Sequence, residues 1–487
     1  MGDGDERDSL LHKAKTAGDH YIAFFRLMKY TSIAYSLFPV PYSLFPVPYS
    51  LFPETKQLCT SRAWEILYMK ELTIFITQSL LGWLAIQMCL AMVFLFYLRS
   101  SKSPNLSADE QLPKTAVILC LRGADPYLSN CVEALLNQDY PEYDLKVIID
   151  SQEDPAWLVN ETIKAQGATN VEISPLRVIR HNCSLKCSSL LQAVSELDDS
   201  YKAIALVDAD TIVHPHWLRQ LVSPLAHPQV GATTGNRWFV PTGKYWGSLV
   251  RYIGNVSTVV QMYLFRVPWG GTLAIKTDVL RQTGLLDKWG EALGEDFMMH
   301  NILKEHGLRV QFVPSLIMLN REECDLLGFI ESLKRLLFYC RLYHPSWLAI
   351  IGDAVSSILF PCVAIVLFVL SLLDTQWDLA FLLLTTYCIY TVGLLLITLI
   401  LELGVSQVIR AHGQPTTKLS MDIVRKMFLA IPLTQLVYGL ALVASLGMST
   451  VKWRGIIYRV ENPWNIRLLE YHPYDTLDQP IDGQISL

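Results

Sequence analysis

Ile204-Ala-Leu-Val-Asp-Ala-Asp-Thr-Ile-Val213 decides the fold: an apolar run ends in two carboxylates, Asp208 and Asp210, and then turns apolar again. Such a run reads as a buried strand of a parallel sheet that delivers acids at its carboxyl end. That edge is where open α/β sheets bind ligands. Two Asp one residue apart can share a hard divalent cation, Mg2+ or Mn2+, which completes its shell with water and phosphate oxygens. A nucleotide diphosphate is the natural partner. An exposed Asp-bearing turn after a strand gives the same letters, so the pair takes its meaning from the rest of the chain.

Of the 487 residues, 51% are hydrophobic and 17% charged, with a positive mean hydropathy. These are not the proportions of a soluble protein. Stretches 72–98, 354–373, 379–401 and 427–448 are apolar and long enough to cross about 30 Å of hydrocarbon. The polar region between the first and second has the size of one α/β domain. The net charge of −5 is mild and leaves no footprint for nucleic acid. Ten cysteines lack the spacing of a disulfide framework. Cys183 and Cys187, the closest pair, read as structural thiols of a reducing compartment.

The expected organisation is a low-complexity, irregular N-terminal extension over 1–68 and a transmembrane helix over 72–98. An α/β domain over 112–345, a membrane domain over 350–450 and a tail over 451–487 follow. The extension carries Tyr-Ser-Leu-Phe-Pro-Val-Pro at Tyr35 and again at Tyr42, and starts it a third time at Tyr49. That unit is too rich in proline for helix or central strand. Arg99 and Lys102 close the first span and put the α/β domain in the cytoplasm by the positive-inside rule. Arg410, Lys418, Arg425 and Lys426 put a later loop on the same side. Three full later crossings would put residues 453–458 on the far side from the α/β domain, so the last span, which contains Pro432, is read as re-entrant unless another helix crosses.

Within the domain, Lys114–Leu121 is predicted as a strand, Leu128–Gln138 as a helix and Leu145–Asp150 as a second strand, a βαβ unit that starts the sheet parallel. An acidic loop, Asp150-Ser-Gln-Glu-Asp154-Pro155, follows. Leu176–Ile179 is predicted as a strand and Leu185–Leu197 as a helix with Lys186 near its start. A lysine there opposes the macrodipole; a phosphate or a neighbouring acid would account for it, and so would simple exposure. Residues 245–267, with Arg251 and Arg266 among aromatics, are too charged to span and are predicted to lie at the membrane surface, with a buried interdomain helix as the alternative. Gly270 and Gly271, after Trp269, let backbone approach a ligand. Glu295 and Asp296 are predicted to open a helix, where capping alone would explain them.

The ordered set Leu121-Arg-Gly-Ala-Asp-Pro126, Asp139-Tyr-Pro-Glu-Tyr143, Glu153-Asp-Pro155, Lys186, Asp208, Gly294-Glu-Asp296 and Trp453-Arg-Gly-Ile-Ile-Tyr458 resembles the inverting family-2-type membrane glycosyltransferases, in their ceramide glucosyltransferase-like branch. The resemblance implies a GT-A (Rossmann-like) nucleotide-sugar-binding domain between transmembrane helices. It implies that Asp150 and Asp154 meet the nucleobase and ribose, with Lys186, Asp208 and Arg335 also on the nucleotide-sugar. Asp208 and Asp210 hold the metal, and Asp296 is the catalytic base. Trp269, Gly270, Gly271 and Glu295 lie on the acceptor side. The family's Gln/Arg-x-x-Arg-Trp motif reads here as Ser332-Leu-Lys-Arg335-Leu336, with Arg341 and Trp347 as another register, so a changed acceptor is expected.

The implied activity is transfer of a hexose from a UDP-sugar to a lipid acceptor at the cytoplasmic face of the bilayer by a multi-pass membrane enzyme. A processive polysaccharide synthase is the alternative, and it wants more channel-forming helices and the intact tryptophan motif. A transporter would carry ionisable residues inside its spans, and a catalytically dead scaffold would have lost some of the acids.

Overall fold

The computed structural model of the chain describes residues 61–100, 108–411 except Thr242, and 413–474 except Pro415, Thr417 and Lys418. The proline-rich repeat, Lys102 and residues 475–487 also lie outside the described residues. Two compact units divide at Glu65, and everything below concerns the second, Ile66–Leu487.

Helix α1 (Ser61–Ser100) starts well ahead of the expected span. Strand β1 (Thr115–Leu121) pairs in parallel with β2 (Tyr143–Ile149) across helix α2 (Leu128–Leu136). Strand β3 (Val171–Pro175) extends the sheet beyond β2, and the chain then returns through helix α3 (Leu185–Ser195) to place β4 (Ala203–Val207) on the other side of β1. Strands β5 (Val230–Phe239), β6 (Thr272–Lys276) and β7 (Arg309–Asn320) complete the order β3-β2-β1-β4-β6-β5-β7. Only β6 runs against its neighbours. The reversal of strand order between β1 and β4 is a topological switch point, and the loops after these two strands border the crevice it opens. Asp208 is the first residue after β4, so the sheet itself carries the acid to the ligand edge.

Alternation along β1 shows why the run is continuously apolar. Ala116 and Ile118 face one core, shared with α3; Val117, Leu119 and Leu121 face the other, shared with α2. Both faces are covered, as a parallel strand requires. The strand expected at Leu176–Ile179 lies a few residues earlier, at β3, and ends at Pro175, which has no N–H to extend a ladder.

Helix α4 (Trp246–Phe265) corrects the membrane-surface expectation: Arg251 and Tyr252 are buried, and the helix is packed between β5 and the membrane helices. Arg251 donates to the Glu322 backbone carbonyl and lies 3.7 Å from its carboxylate, which is how a charge persists inside. Helices α5 (Met299–Glu305) and α6 (Leu326–Tyr343) follow, then α7 (Trp347–Leu373), α8 (Trp377–Ala411) and α9 (Met421–Leu446). With α1, the last three are long and apolar enough to cross a membrane. Glu402 of α8 accepts from the Trp238 indole at 2.8 Å and the Tyr252 hydroxyl at 2.7 Å, bolting sheet and α4 to a membrane helix. Both ends of α9 touch the α/β domain: Lys426 donates to Gly243 O at 3.2 Å, and the Leu446 carbonyl accepts from Arg341 at 2.5 Å.

The expected tail folds as an antiparallel sheet, β8 (Thr450–Trp453), β9 (Ile456–Asn462) and β10 (Asn465–Tyr471), whose Val451, Ile456 and Tyr458 complete the core under α3. At the α4 start, Ser248 N donates to Cys324 O at 3.0 Å, and a Cβ on Gly247 would sit 2.1 Å from the Asp325 carbonyl oxygen. Backbone cannot yield as a side chain does. Gly247→Ala is therefore expected to destabilise the detergent-solubilised protein by about 1–3 kcal/mol, whereas Gly352→Ala, with nothing within 4 Å, leaves the unfolding midpoint unchanged or raised. Equal midpoints for the two variants would contradict the packing.

Candidate active site

Lys186 stands in the first turn of α3, where Ser184 caps the helix by accepting from Cys187 N at 3.1 Å. Its ammonium lies 2.7 Å from Asp208 Oδ1 and 2.6 Å from Glu295 Oε1. The neighbouring acid expected from its unfavourable helical position is thus present twice. Burial works against the charge on Lys186, but the two carboxylates outweigh it and hold its pKa well above the usual value. Burial likewise pushes Asp208 up, and here Lys186, Arg237 and the Trp269 indole prevail and bring it below the ordinary range.

Asp210 behaves in the opposite way. Burial and the charge of Asp208 raise it to about 7, against the pull of Arg237 at 3.8 Å. Its Oδ2 accepts from Asn320 Nδ2 at 3.1 Å. Two acids on one short loop, the second short of positive charge, are a donor set that fits a hard divalent cation. Among the described residues no further His, Cys, Asp or Glu completes a three-ligand group, so a cation there would fill its shell with phosphate oxygens and water.

The loop before β6 explains its glycines. A Cβ on Gly270 would fall 2.0 Å from Glu295 Oε1, and one on Gly271 would fall 2.5 Å from Asp208 Oδ2. Only a bare backbone lets both carboxylates close on Lys186. Gly270 N donates to Asp296 Oδ2 at 3.0 Å and Phe297 N to Oδ1 at 2.8 Å. Asp296 therefore joins Asp208 and Glu295 around one turn. The pair does not open a helix as expected, since α5 begins at Met299. Glu295 is buried, while Asp296 is half-buried and lines a cavity of about 300 Å³. Burial and the charge of Glu295 raise Asp296 to about 7, in spite of Lys186 and the two N–H donors.

That cavity continues past Trp269 and Arg237 to residues of the membrane helices, among them Gln87, Asp353 and Tyr390. Trp269 is buried, with Arg237 over its ring at 5.3 Å. Arg335 is half-buried on α6 beside Tyr339; burial and the charges of Arg237 and Arg454 weigh against its own. Three guanidiniums near one another suit a polyanion. Arg237 and Arg454 were not assigned site roles from sequence; Arg237 follows the β5 glycines beside Trp238 and Phe239, and Arg454 lies within Trp453-Arg-Gly-Ile-Ile-Tyr458.

Asp150 and Asp154 are placed differently from the nucleotide contacts expected of them. Asp150 has no exposed side-chain surface, is ion-paired with Arg122 and accepts from the Tyr471 hydroxyl at 3.1 Å. Asp154 is 2% exposed; its carboxylate accepts from Gly123 N at 3.0 Å and Ala156 N at 2.8 Å. Both acids brace the loop after β1. The C-terminal hairpin covers them: Arg122 donates to the carbonyls of Arg454 and His472, and Arg454 holds Asp125 at 2.6 Å. Cys183 and Cys187 are buried and unbridged, in keeping with structural thiols.

A family model described as "Glycosyl transferase family 21" matches residues 80–466. Among solved structures, a mannosyltransferase from Pyrobaculum calidifontis in complex with GDP-Man and Mn2+ is 13% identical, with 76% of this chain and 99% of that chain covered and a TM-score of 0.41. Glucosyl-3-phosphoglycerate synthase from Mycobacterium tuberculosis, in complex with phosphoglyceric acid, is 15% identical over 50% of this chain and 88% of that chain, with a TM-score of 0.33. At these scores the neighbours carry no weight for what this chain binds.

If Lys186 is the shared counter-charge, Lys186→Met leaves two acids facing each other. Removing one partner of a buried pair costs about 3–5 kcal/mol, and because Lys186 and Asp208 are roughly a quarter exposed the expected loss is nearer about 2 kcal/mol after screening. Adding Glu295→Gln should recover part of it. Thermal unfolding of both singles and the double measures the coupling, and strictly additive shifts would mean that the ammonium does not bridge the acids.

Proposed function

The chain belongs to glycosyl transferase family 21, and from that membership we propose that it moves a hexose from a UDP-sugar to a lipid hydroxyl, with inversion, at the cytoplasmic face of a membrane. It is a nucleotide-sugar-dependent glycosyltransferase; the acceptor, the stereochemistry and the sidedness are our reading. The observation that carries it is the cavity that has Asp296 and Trp269 in its wall together with residues of α1, α7, α8 and α9. A hydroxyl at the head of a lipid lying among those helices reaches the carboxylate without leaving the bilayer. Ceramide, diacylglycerol and sterol-like lipids all offer such a hydroxyl.

In this mechanism Asp296 accepts the proton of the acceptor hydroxyl. The hydroxyl oxygen attacks the anomeric carbon as the bond to the diphosphate oxygen breaks, and attack opposite the leaving group inverts the centre. Asp208 and Asp210 would hold Mg2+ or Mn2+, which supplies the positive charge that a departing diphosphate needs. Lys186 holds Asp208 in place, Arg335 and Arg237 face the anionic end, and the N–H groups of Gly270 and Phe297 orient the base. Asp154 acts at one remove by ordering the Gly123 loop beside the crevice.

We read α1, α7 and α8 as crossing and α9 as remaining on the catalytic side, because both its ends hold domain residues. An odd number of crossings from the outside leaves the hairpin beside Arg122, where its contacts lie. This multi-pass arrangement answers the conflict that three later crossings would create. The mostly apolar wall of the cavity favours a lipid over a growing polysaccharide.

The test is transfer of labelled sugar from UDP-sugars to lipids in proteoliposomes with Mn2+. A labelled, organic-extractable product of inverted anomeric configuration is expected from the wild type. Because the raised carboxyl of Asp296 must be ionised to act, kcat/KM should rise with pH through an apparent pKa near 7 and flatten above it. Asp296→Asn should lose about 10²–10⁴-fold on the plateau above pH 7, with the gap narrowing as the pH falls and the wild-type carboxyl protonates. A water-soluble polymeric product, or an Asp296→Asn enzyme of wild-type rate, would sink the proposal.

A further inference from the structure

Asp353 is a carboxylate in the second turn of α7, a helix apolar enough to span a membrane. An ionisable group at such a place calls for a partner and a purpose. Its partners are two amides: Gln87 Nε2 of α1 donates to Oδ1 at 2.6 Å, and Gln261 Nε2 of α4 donates to Oδ2. Among the described residues no lysine, arginine or histidine is ion-paired with it. All three side chains line the cavity that holds Asp296. Ser357, one turn further along α7, accepts from Trp83 Nε1 at 2.9 Å and lines the same space. Gln435 of α9 and Tyr390 of α8 stand together beside Ser357 and Asp353.

A staple between helices would need the two glutamines and nothing more. Two amide N–H groups occupy two of the roughly four lone-pair sites of a carboxylate, and each oxygen retains capacity toward the cavity. Spare acceptor capacity on a carboxylate in an apolar chamber matches a lipid group that donates. The reacting hydroxyl must be at Asp296, so this group lies elsewhere on the same molecule.

We propose that Asp353, held in place by Gln87 and Gln261, is a specificity-determining residue that accepts a hydrogen bond from an N–H or O–H of the acceptor lipid, separate from the hydroxyl that receives the sugar. The proposal rests on the cavity being the acceptor site. It ranks acceptors: a lipid with a secondary amide near its reacting hydroxyl is preferred over one of equal chain length with an ester there, because an ester oxygen can only accept and meets the carboxylate as a repulsion.

The test compares transfer to an N-acyl amino alcohol and to a diacylglycerol of matched chains, in wild type, Asp353→Asn and Asp353→Glu, all as full chains in proteoliposomes. In Asp353→Asn the KM for the amide lipid should rise about tenfold or more, as for a lost hydrogen bond to a charged group, while kcat at saturation falls less. The amide-to-ester ratio of kcat/KM should drop by the same factor. Asp353→Glu keeps the charge but moves it by one methylene, and should fall between the two. An unchanged ratio in both variants, or equal losses on both lipids, overturns the specificity role and marks Asp353 as a staple. If the wild type releases UDP but glycosylates neither lipid, the lipid-acceptor reading falls and takes this one with it.

Discussion

One ammonium holds the candidate site together. Lys186 lies within 2.7 Å of an acid that ends a central strand and within 2.6 Å of an acid that precedes α5, segments far apart in the chain. Carboxylates do not gather in a poorly solvated crevice unaided, because each loses hydration and repels the others. The single cation removes one repulsion, and the bare backbone at Gly270 and Gly271 provides the space. What remains uncompensated is Asp210 on one side and Asp296 on the other, both raised to about 7. The same fold therefore leaves one acid suited to a metal cation and another suited to accepting a proton.

Much of this was legible in the residue order, and for identifiable reasons. The apolar runs at β1, β2 and β4 encode two covered faces, which only a parallel sheet between layers gives them. Lys186 hinted at an anionic neighbour because a lysine in a first helical turn opposes the macrodipole, though an exposed lysine would have read the same. Asp150 and Asp154 were not legible in the same way. An acidic loop at the right sheet edge looks like a ligand site until the partners of the acids are known, and those are Arg122, Tyr471 and two backbone N–H groups. Arg251 misled similarly: a charged residue suggests exposure, whereas Glu322 offers it a backbone carbonyl and, at 3.7 Å, an opposite charge inside. Asp353 and Glu402 fell just outside the hydropathy-defined spans, so two acids that matter to the membrane part went unnoticed until the helices were seen to extend past them.

The domain and the membrane helices are not loosely tethered. Glu402 takes hydrogen bonds from Trp238 and Tyr252, and the Tyr97 ring stacks on Tyr263 at 4.4 Å while its hydroxyl reaches Phe312 O at 2.8 Å. Aromatic and charged contacts thus fix the height of the sheet edge relative to α1 and α8. For the proposed transfer from a nucleotide-sugar in water to a lipid, that fixed height decides whether the reacting atoms meet.

The hairpin that clasps the loop after β1 also bears on how the chain is made. Arg122 and Arg454 are 332 positions apart, so the first strands leave the ribosome long before the carbonyls that complete the Arg122 environment exist. Until residues 450–471 emerge, a nascent domain carries the Arg122–Asp150 pair without its cover, and the core beneath α3 lacks Val451, Ile456 and Tyr458. Domains generally mature in the order of their synthesis; here a segment made after the membrane helices is the closing piece of the α/β domain made before most of them. A stop codon just before Thr450 would leave that earlier-made domain unfinished, a substrate for quality control.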